Sequence, residues 1–251
     1  MYEAMGWDVP VWAHIPLIHG PDGAKLSKRH GALGVMEYEA MGYLPEAMRN
    51  YLLRLGWSHG DDEIISDAEA AKWFNLDHIN KAPARFDFAK LEDLNGHYIR
   101  GADNARLCTL CGPIIERHLA RPFEPGEQKL LARAMPSLKE RAKTLLGLAE
   151  SSLFYFKEIN APEDEKAVKQ LTEGIELMQR FIPELEKQEQ WNHEALFPFA
   201  KEWAEVNGSK IGKLMAPIRV AITGSTGAPS MFEVMELLGK EESLRRLKTA
   251  I

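Results

Sequence analysis

The sequence predicts a mainly α-helical protein whose first part contains a little β-structure. Apolar residues recur at spacings of three and four over most of the chain after about residue 43, which is the period of an amphipathic helix. Residues that start and end helices frame these segments. One stretch near the amino end, residues 9–18 (VPVWAHIPLI), is rich in β-branched and aromatic residues instead, so we expect a short strand there.

The amino-terminal elements follow one another closely. Residues 21–23, Pro-Asp-Gly, supply a tight turn directly after the predicted strand, because glycine accepts a positive φ. A helix is predicted over residues 43–57, where apolar side chains share one face. Pro45 suits the first turn of that helix and Gly56 suits its exit.

Two further helices are predicted before residue 102. Ser66 and Glu69 have the spacing of a capping box, in which two side chains satisfy free amides at a helix start. Asp87 is the expected N-cap of the next helix, and Asn95-Gly96 is the expected break within that pattern.

Beyond residue 102 the pattern predicts helices alone. Ser137 and Ser230 each precede a glutamate by three residues, so both are expected to start helices as capping boxes. Pro217 lies inside a helical pattern and should kink it. The expected helices occupy residues 102–119, 136–156, 163–182, 184–207, 210–223 and 230–250. Two or three helical layers would bury their apolar stripes.

The composition indicates a folded protein without a disulfide scaffold. The chain is long enough, at 251 residues with 45% hydrophobic residues, to bury a sizeable core. Two cysteines fit a reducing compartment, and neither a signal peptide nor an apolar run of membrane-spanning length is seen. We therefore expect a cytoplasmic protein that makes no membrane contact.

A net charge of −6 does not exclude nucleic acid, because binding depends on local basic patches. The most concentrated patch is KLSKR at residues 25–29. Lysine ammonium groups and an arginine fork are well suited to phosphate oxygens, and a serine hydroxyl adds a neutral donor. Cations that meet the charge developing on ATP and on departing pyrophosphate would lower the barrier to nucleotidyl transfer. Taken alone, this run is weak evidence, because most short basic runs are solvated surface.

The surrounding sequence is more specific than this run. Three blocks of the chain resemble the glutamyl-tRNA synthetases of bacterial type, which are class I enzymes: PLIHGPDGAKLSKRHGALGVMEYEAMGYLPEAMRNYLLRLGWSHGDDE at 16–63, NKAPARFDFAKLEDLNGHYIR at 80–100, and LMAPIRVAITGSTGAPSMFEVMELLGKEESLRRL at 214–247. Within the first block, KLSKR is similar to the family's version of the lysine-serine signature loop of class I synthetases.

The resemblance implies a role for each residue of the loop. Lys28 would contact ATP phosphates and stabilise adenylate formation, with Lys25 as a second catalytic lysine. Leu26, Ser27 and Arg29 would complete the ATP-binding loop. ATP would come with Mg2+, and the resemblance implies no structural metal in this part of the enzyme.

The resemblance also divides the chain. Residues 1–23 would end the class I catalytic domain, and residues 24–104 would form the stem-contact fold that carries KLSKR. Residues 105–162 and 163–251 would form two helical anticodon-binding domains. The implied fold is therefore mainly α, with a small β-containing remnant of the catalytic domain and stem-contact fold before the helices.

The implied enzyme activates glutamate with ATP and transfers it to tRNA(Glu). The family's first signature, the HIGH-like motif, is absent from the chain, so we expect the chain alone to be inactive. We also expect a monomer. Two alternatives remain open: a free-standing RNA-binding helical module without ligase activity, and a helical scaffold whose basic patches are incidental.

Two basic groups in the helical part are candidates for tRNA contact. In discriminating members of the family an arginine on a helix reads the third anticodon base, and Arg141 is the candidate here, with Lys139 and Lys143 nearby. A neutral residue in that place would imply charging of tRNA(Gln) as well. Arg219 could contact the anticodon loop or hold a helix by an ion pair. For Arg141 the alternative is an ordinary exposed helix residue.

Other chemically suggestive residues are interpreted as structural. Cys108 and Cys111 lack the further ligands that zinc requires, so buried apolar roles are expected. Phe154 and Phe156 are expected in the core, with Tyr155 facing outward.

Overall fold

The structure, a computed structural model, describes residues 1–12, 14–27, 33–162 and 164–251. Its α-helices are α1 Tyr2–Met5, α2 Val35–Ala40, α3 Pro45–Gly56, α4 Asp67–Trp73, α5 Phe88–Gly101, α6 Asn104–Leu119, α7 Glu127–Leu138, α8 Leu145–Ser152, α9 Glu165–Glu186, α10 His193–Val206, α11 Ile211–Thr223, α12 Met231–Leu238 and α13 Lys240–Thr249. A 3-10 helix follows α8 at Leu153–Tyr155, and the strands are β1 Ile18–His19 and β2 Ala84–Arg85. The predicted mainly helical fold is confirmed.

The chain divides into two compact units, Met1–Tyr98 and Ile99–Ile251. The division into four domains at residues 23, 104 and 162 remains a prediction. Within the described ranges no helix combines the length and the apolar character that crossing a membrane requires.

The first unit contains a two-stranded parallel sheet. Its register pairs Ile18 with Ala84 and His19 with Arg85. The predicted strand over residues 9–18 is wrong over most of its described length: residue 13 lies outside the described ranges, and of the others only Ile18 belongs to β1. Pro10 lacks the amide that a sheet ladder needs, and β2 is two residues long, so no ladder extends further back.

An aromatic cluster forms the core of the first unit. Its buried members are Tyr38, Tyr43, Met48, Tyr51, Phe86 and Leu91. The Asp87 amide donates a 2.6 Å hydrogen bond to the Tyr51 hydroxyl, which satisfies the one polar atom that Tyr51 brings into the cluster. The helix predicted over residues 43–57 is confirmed as α3.

Local caps in the first unit form as predicted. Ser66 and Glu69 make the reciprocal bonds of a capping box at the start of α4. Asp87 accepts from the amides of Ala89 and Lys90 at the start of α5. The predicted break at Asn95-Gly96 is wrong, because the buried Asn95 side chain accepts from the Leu44 amide at 2.8 Å while α5 continues through it.

The second unit is built from helices that pack closely. α9 and α11 cross where Gly174 is buried against the ring of Pro217. A Cβ atom at residue 174 would lie nearer to Pro217 ring carbons than van der Waals contact allows. Glycine at residue 174 is therefore required where α9 meets Pro217 of α11, and the kink expected at Pro217 remains a prediction.

The predicted helix start at Ser137 is wrong. Ser137 lies inside α7, where its hydroxyl donates to the Ala134 carbonyl, and α8 begins only after Thr144. Thr144 accepts from the Gly147 amide at 3.0 Å and is the N-cap. The apolar face of α7 runs on through the buried Leu138, so packing extends α7 past the proposed cap.

The remaining boundaries differ from prediction in two places. α9 continues to Glu186, and α10 starts after Asn192, which caps it, rather than at residue 184. The segment 230–250 is divided at Gly239, whose φ of 82° ends α12 before α13 begins. Ser230 precedes α12 as predicted but makes no side-chain capping bond.

The aromatic run after α8 lies in the core. Phe154 and Phe156 are buried as predicted, whereas the outward orientation predicted for Tyr155 is wrong. The Tyr155 hydroxyl is buried without a hydrogen-bond partner among the described residues. Burial, together with the negative charge of Glu233, raises the pKa of this phenol above its ordinary value.

Arg246 is a buried charged residue that joins three segments of the second unit. Its Nη1 donates to the carbonyls of Phe154 and Ile222 at 2.7 and 2.8 Å, and its Nε donates to Glu242 at 2.6 Å. Glu242 also accepts from Arg245. Hydrogen bonds from Arg245 and Arg246 lower the pKa of the Glu242 carboxyl to about 2.

Gly174→Ala should destabilise the second unit by about 1–3 kcal/mol, because the added methyl overlaps Pro217 and forces α9 and α11 apart. Gly212→Ala is the matched control, since Gly212 lies in α11 with open space around its Cα. The control should be neutral or stabilising by up to about 1 kcal/mol through helix propensity. Thermal unfolding measures the change in stability of both variants. An equal change in the two would contradict the close packing of α9 against Pro217.

Glu242→Gln should lower the free energy of unfolding at pH 5. The difference from the unsubstituted chain should shrink as the pH falls towards 2. The pKa of Glu242 is about 2 in the folded chain, below the roughly 4.3 of an unfolded glutamate. Between these two pH values the unfolded chain binds more protons than the folded chain, so the stability that the ionised Glu242 contributes is lost as the pH falls. Urea unfolding at several pH values measures the difference from the unsubstituted chain. Glu241→Gln, at the exposed neighbouring position, is the control. A difference that stays constant with pH would contradict the assignment.

Candidate nucleotide and nucleic-acid sites

The first candidate site is a hairpin that runs from β1 to Lys25. The Gly20 amide donates to the Ala24 carbonyl and the Leu26 amide donates to the Ile18 carbonyl, both at 2.8 Å. Asp22 accepts from the Ala24 amide at 2.9 Å, and Gly23 takes a φ of +80°. The predicted Pro-Asp-Gly turn therefore forms, and it delivers Lys25 to an antiparallel bridge opposite His19.

The described part of KLSKR ends at Ser27. Lys25 is exposed, whereas the Leu26 side chain packs against the aromatic cluster and its amide is used by the hairpin. Leu26 therefore anchors the loop through its side chain, and Ser27 is half-buried beside it. Lys28 and Arg29 lie outside the described residues, so the predicted ATP contacts of the loop remain predictions.

The second candidate site is the segment between α7 and α8. Lys139 is half-buried at the end of α7, and its Nζ donates to the Ala102 carbonyl at 2.9 Å. Arg141 is exposed, and its Nη1 donates to the Ala228 carbonyl at 2.9 Å. Lys143 is exposed one residue before the Thr144 cap. The expected helical setting of Arg141 is thus wrong, because residues 139–144 connect two helices.

Arg219 lies close to Arg141 in the second unit. Its Nε is buried without a hydrogen-bond partner among the described residues. Burial and the positive charge of Arg141 lower the pKa of this guanidinium. The ion pair considered for Arg219 is not found among the described residues, and the charged neighbour that acts on its guanidinium is another arginine.

A cavity of about 550 Å³ opens beside Arg141, between α7 and α12. Its lining includes Arg133 as well as three carboxylates, from Glu140, Glu233 and Glu236. Such a mixed lining can offer charge to a phosphate and hydrogen-bond partners to a base edge. Arg133 was not among the sequence candidates. The predicted helix begins at residue 136 and leaves Arg133 outside it. Arg133 could have been predicted from the sequence only if a helix had been expected before Ser137.

The two cysteines lie on α6 and have the environments expected of apolar residues. Cys111 is buried, and burial raises the pKa of its thiol to about 12. Cys108 is half-buried, and burial also raises the pKa of its thiol. Across the described ranges, no group of three or more His, Cys, Asp or Glu side chains is placed to hold a metal ion.

Two family models match the chain. The model described as "Anticodon binding domain" matches residues 113–251 and so covers more than half of the chain. The model described as "tRNA synthetases class I (E and Q), catalytic domain" matches residues 1–93. The first match contains the Arg141 segment and the second contains the hairpin.

Curated relatives match along the whole chain. "Glutamate--tRNA ligase 2" of Paramagnetospirillum magneticum is 51% identical over 253 residues, which is 100% of this chain and 53% of the relative. The protein of the same name from Rhodospirillum centenum is 53% identical over 251 residues, which is 100% of this chain and 54% of the relative. The chain therefore spans about half the length of the curated relatives it matches.

Solved structures show the same likeness. A glutamate tRNA ligase from Elizabethkingia meningosepticum, in complex with its amino acid, aligns with a TM-score of 0.82 at 31% identity, covering 99% of this chain and 53% of that one. A glutamate-tRNA synthetase from Elizabethkingia anophelis aligns with a TM-score of 0.81 at 31% identity, covering 100% and 52%.

Proposed function

Because the chain belongs to the class I glutamate–tRNA ligases, whose carboxy-terminal portion it matches, we propose that it works within an enzyme that charges tRNA(Glu). In this reaction glutamate attacks the α-phosphate of ATP, which releases pyrophosphate and forms an adenylate. The 3′ end of tRNA then takes the glutamyl group and AMP leaves. The observation that carries the proposal is about 50% identity to such ligases over the whole chain.

In this proposal the hairpin serves the first step. Lys25 and Lys28 stabilise the charge that moves onto the α-phosphate and the departing pyrophosphate, with Leu26, Ser27 and Arg29 completing the loop. Mg2+ arrives bound to ATP. The support from the structure is that the hairpin bonds leave Lys25 exposed at the end of a fixed turn.

The helical unit binds the anticodon arm in this proposal. Arg141 uses one nitrogen to hold the Ala228 carbonyl, and the rest of its five N–H donors can reach RNA. Lys139, Lys143 and Arg219 add positive charge around it. An arginine at the anticodon position favours tRNA(Glu) over tRNA(Gln) as the acceptor. We place the enzyme in the cytoplasm as a monomer.

The decisive experiment is aminoacylation by the complete protein, with tRNA(Glu) and tRNA(Gln) assayed side by side. Charging of tRNA(Glu) with glutamate supports the proposal, and Lys28→Ala should slow adenylate formation far more than it weakens tRNA affinity. RNA binding without charging of either tRNA would identify the RNA-binding module instead. An equal loss of adenylate formation and of tRNA affinity in the Lys28→Ala variant would contradict the role of the loop. Residues 1–251 alone should bind tRNA without activating glutamate.

The triple change Lys139→Ala, Arg141→Ala and Lys143→Ala should weaken tRNA(Glu) binding and flatten its dependence on salt. Each lost phosphate contact reduces the slope of log affinity against log salt by about 0.7–0.9. Binding titrations at several salt concentrations measure both effects.

The matched control removes the same charge elsewhere in the second unit. Lys166, Lys169 and Lys201 are exposed on α9 and α10, and their triple alanine variant should bind as the unsubstituted chain does. Thermal unfolding checks that loss of the Lys139 bond to Ala102 has not unfolded the protein. Equal weakening by both triple variants would remove the 139–143 segment from the interface.

A further inference from the structure

Three basic residues stand side by side in the strands around the hairpin. His19 on β1 is the register partner of Arg85 on β2, and it also forms the antiparallel bridge with Lys25. Directly opposed residues of neighbouring strands place their side chains on the same face. The lateral order Lys25, His19, Arg85 is therefore a row of basic side chains on one face of this small sheet. We call these three residues the cationic row.

Packing identifies the face on which the cationic row lies. Side chains alternate along a strand, so the adjacent residues Ile18, Leu26 and Phe86 belong to the opposite face. All three lie in or against the aromatic cluster, with Phe86 only 3% exposed. The cationic row consequently lies on the face turned away from the core, where Lys25 and Arg85 are exposed.

Two backbone hydrogen bonds hold the row in line. The Leu26 amide donates to the Ile18 carbonyl and the Phe86 amide donates to the His19 carbonyl, both at 2.8 Å. These bonds fix the strands on either side of His19, so the Cα atoms of the row keep their register. The row is thus set by the sheet and does not depend on the conformation of long side chains.

The Arg85 side chain reaches the turn that precedes Lys25. A Cβ atom at Gly23 would lie 2.8 Å from Nη2 of Arg85, so the guanidinium rests against the bare Cα of this glycine. Within the described residues Arg85 forms no ion pair, although it is exposed. Its charge is therefore available beside the loop that bears Lys25.

We propose that Arg85, with His19 between it and Lys25, extends the phosphate-binding surface of the hairpin and contacts the triphosphate of ATP. This inference rests on the proposed function and adds a residue to the same site. Three donors spaced across neighbouring strands match a chain of phosphates better than one lysine does, and a guanidinium can bind phosphate oxygens bidentately. The row would also bind the pyrophosphate product before its release.

The test compares Arg85→Ala and Arg85→Lys in the complete protein, with ATP as the varied substrate and pyrophosphate as a competing ligand. Arg85→Ala should raise the KM for ATP and weaken pyrophosphate binding about fivefold, which is the size expected of an exposed charge contact. Arg85→Lys should recover part of the loss because it keeps the charge. The tRNA affinity should stay unchanged in both variants.

Lys72→Ala is the matched control. Lys72 is an exposed lysine of the same unit, and it lies on α4 rather than on the sheet. Its removal changes the net charge equally and should leave ATP and pyrophosphate binding unchanged. Arg85→Gln removes the charge but keeps the Cβ, Cγ and Cδ atoms and a polar end, and it replaces the alanine variant if thermal unfolding shows that the latter is unstable.

Lys25→Ala separates failure of this inference from failure of the proposed function. Impaired ATP use in Lys25→Ala with normal ATP use in Arg85→Ala would overturn the role of Arg85 and leave the proposed function standing. Normal ATP use in both variants would refute the ATP role of the hairpin, and this inference with it. Weakened tRNA binding in Arg85→Ala with normal ATP binding would assign the arginine to RNA phosphate and overturn the inference as well.

Discussion

The buried guanidinium of Arg246 is the interaction on which the helical unit depends. A charged group that is only 6% exposed is costly unless its donors are satisfied, and its partners come from three separate places in the chain. The Phe154 and Ile222 carbonyls and the Glu242 carboxylate must therefore meet around it. This requirement positions the end of α11 against the 3-10 segment and α13.

The position of α11 also determines where the residues of the candidate nucleic-acid surface lie. Ile222 lies one residue before the end of α11, and the connection that follows contains Ala228, whose carbonyl accepts from Arg141. Arg219 lies one turn earlier on the same helix. Arg141 and Arg219 are thus both tied to the core through α11 and the connection that follows it. Their mutual repulsion is tolerated because the surrounding contacts fix both segments.

Features that depend on neighbouring residues could be predicted from the sequence, whereas features that depend on distant residues could not. The Ser66–Glu69 box, the Asp87 cap and the turn at Gly23 each depend on neighbours within three residues, and all three form. Asn95 reads locally as a helix breaker, yet its side chain is used by a backbone amide 51 residues away.

The candidate sites follow the same rule. The turn before Lys25 could be predicted, but the row with His19 and Arg85 could not, because β2 pairs with β1 from a remote part of the chain. Arg141 could be singled out as basic, whereas its bond to Ala228 spans 87 residues. Tyr155 is expected to face outward, but packing of the remote helices of this unit buries its hydroxyl, which has no hydrogen-bond partner among the described residues.

The parallel pairing of β1 with β2 also has a consequence for biosynthesis. The hairpin around Gly23 closes over a few residues, while β2 follows only after α2, α3 and α4 have been made. Joining segments this distant costs loop-closure entropy, which the packing of the intervening helices must first offset. The residues of the turn are thus complete early in synthesis, whereas the edge of β1 that pairs with β2 has no partner strand until residues 84–86 have been made.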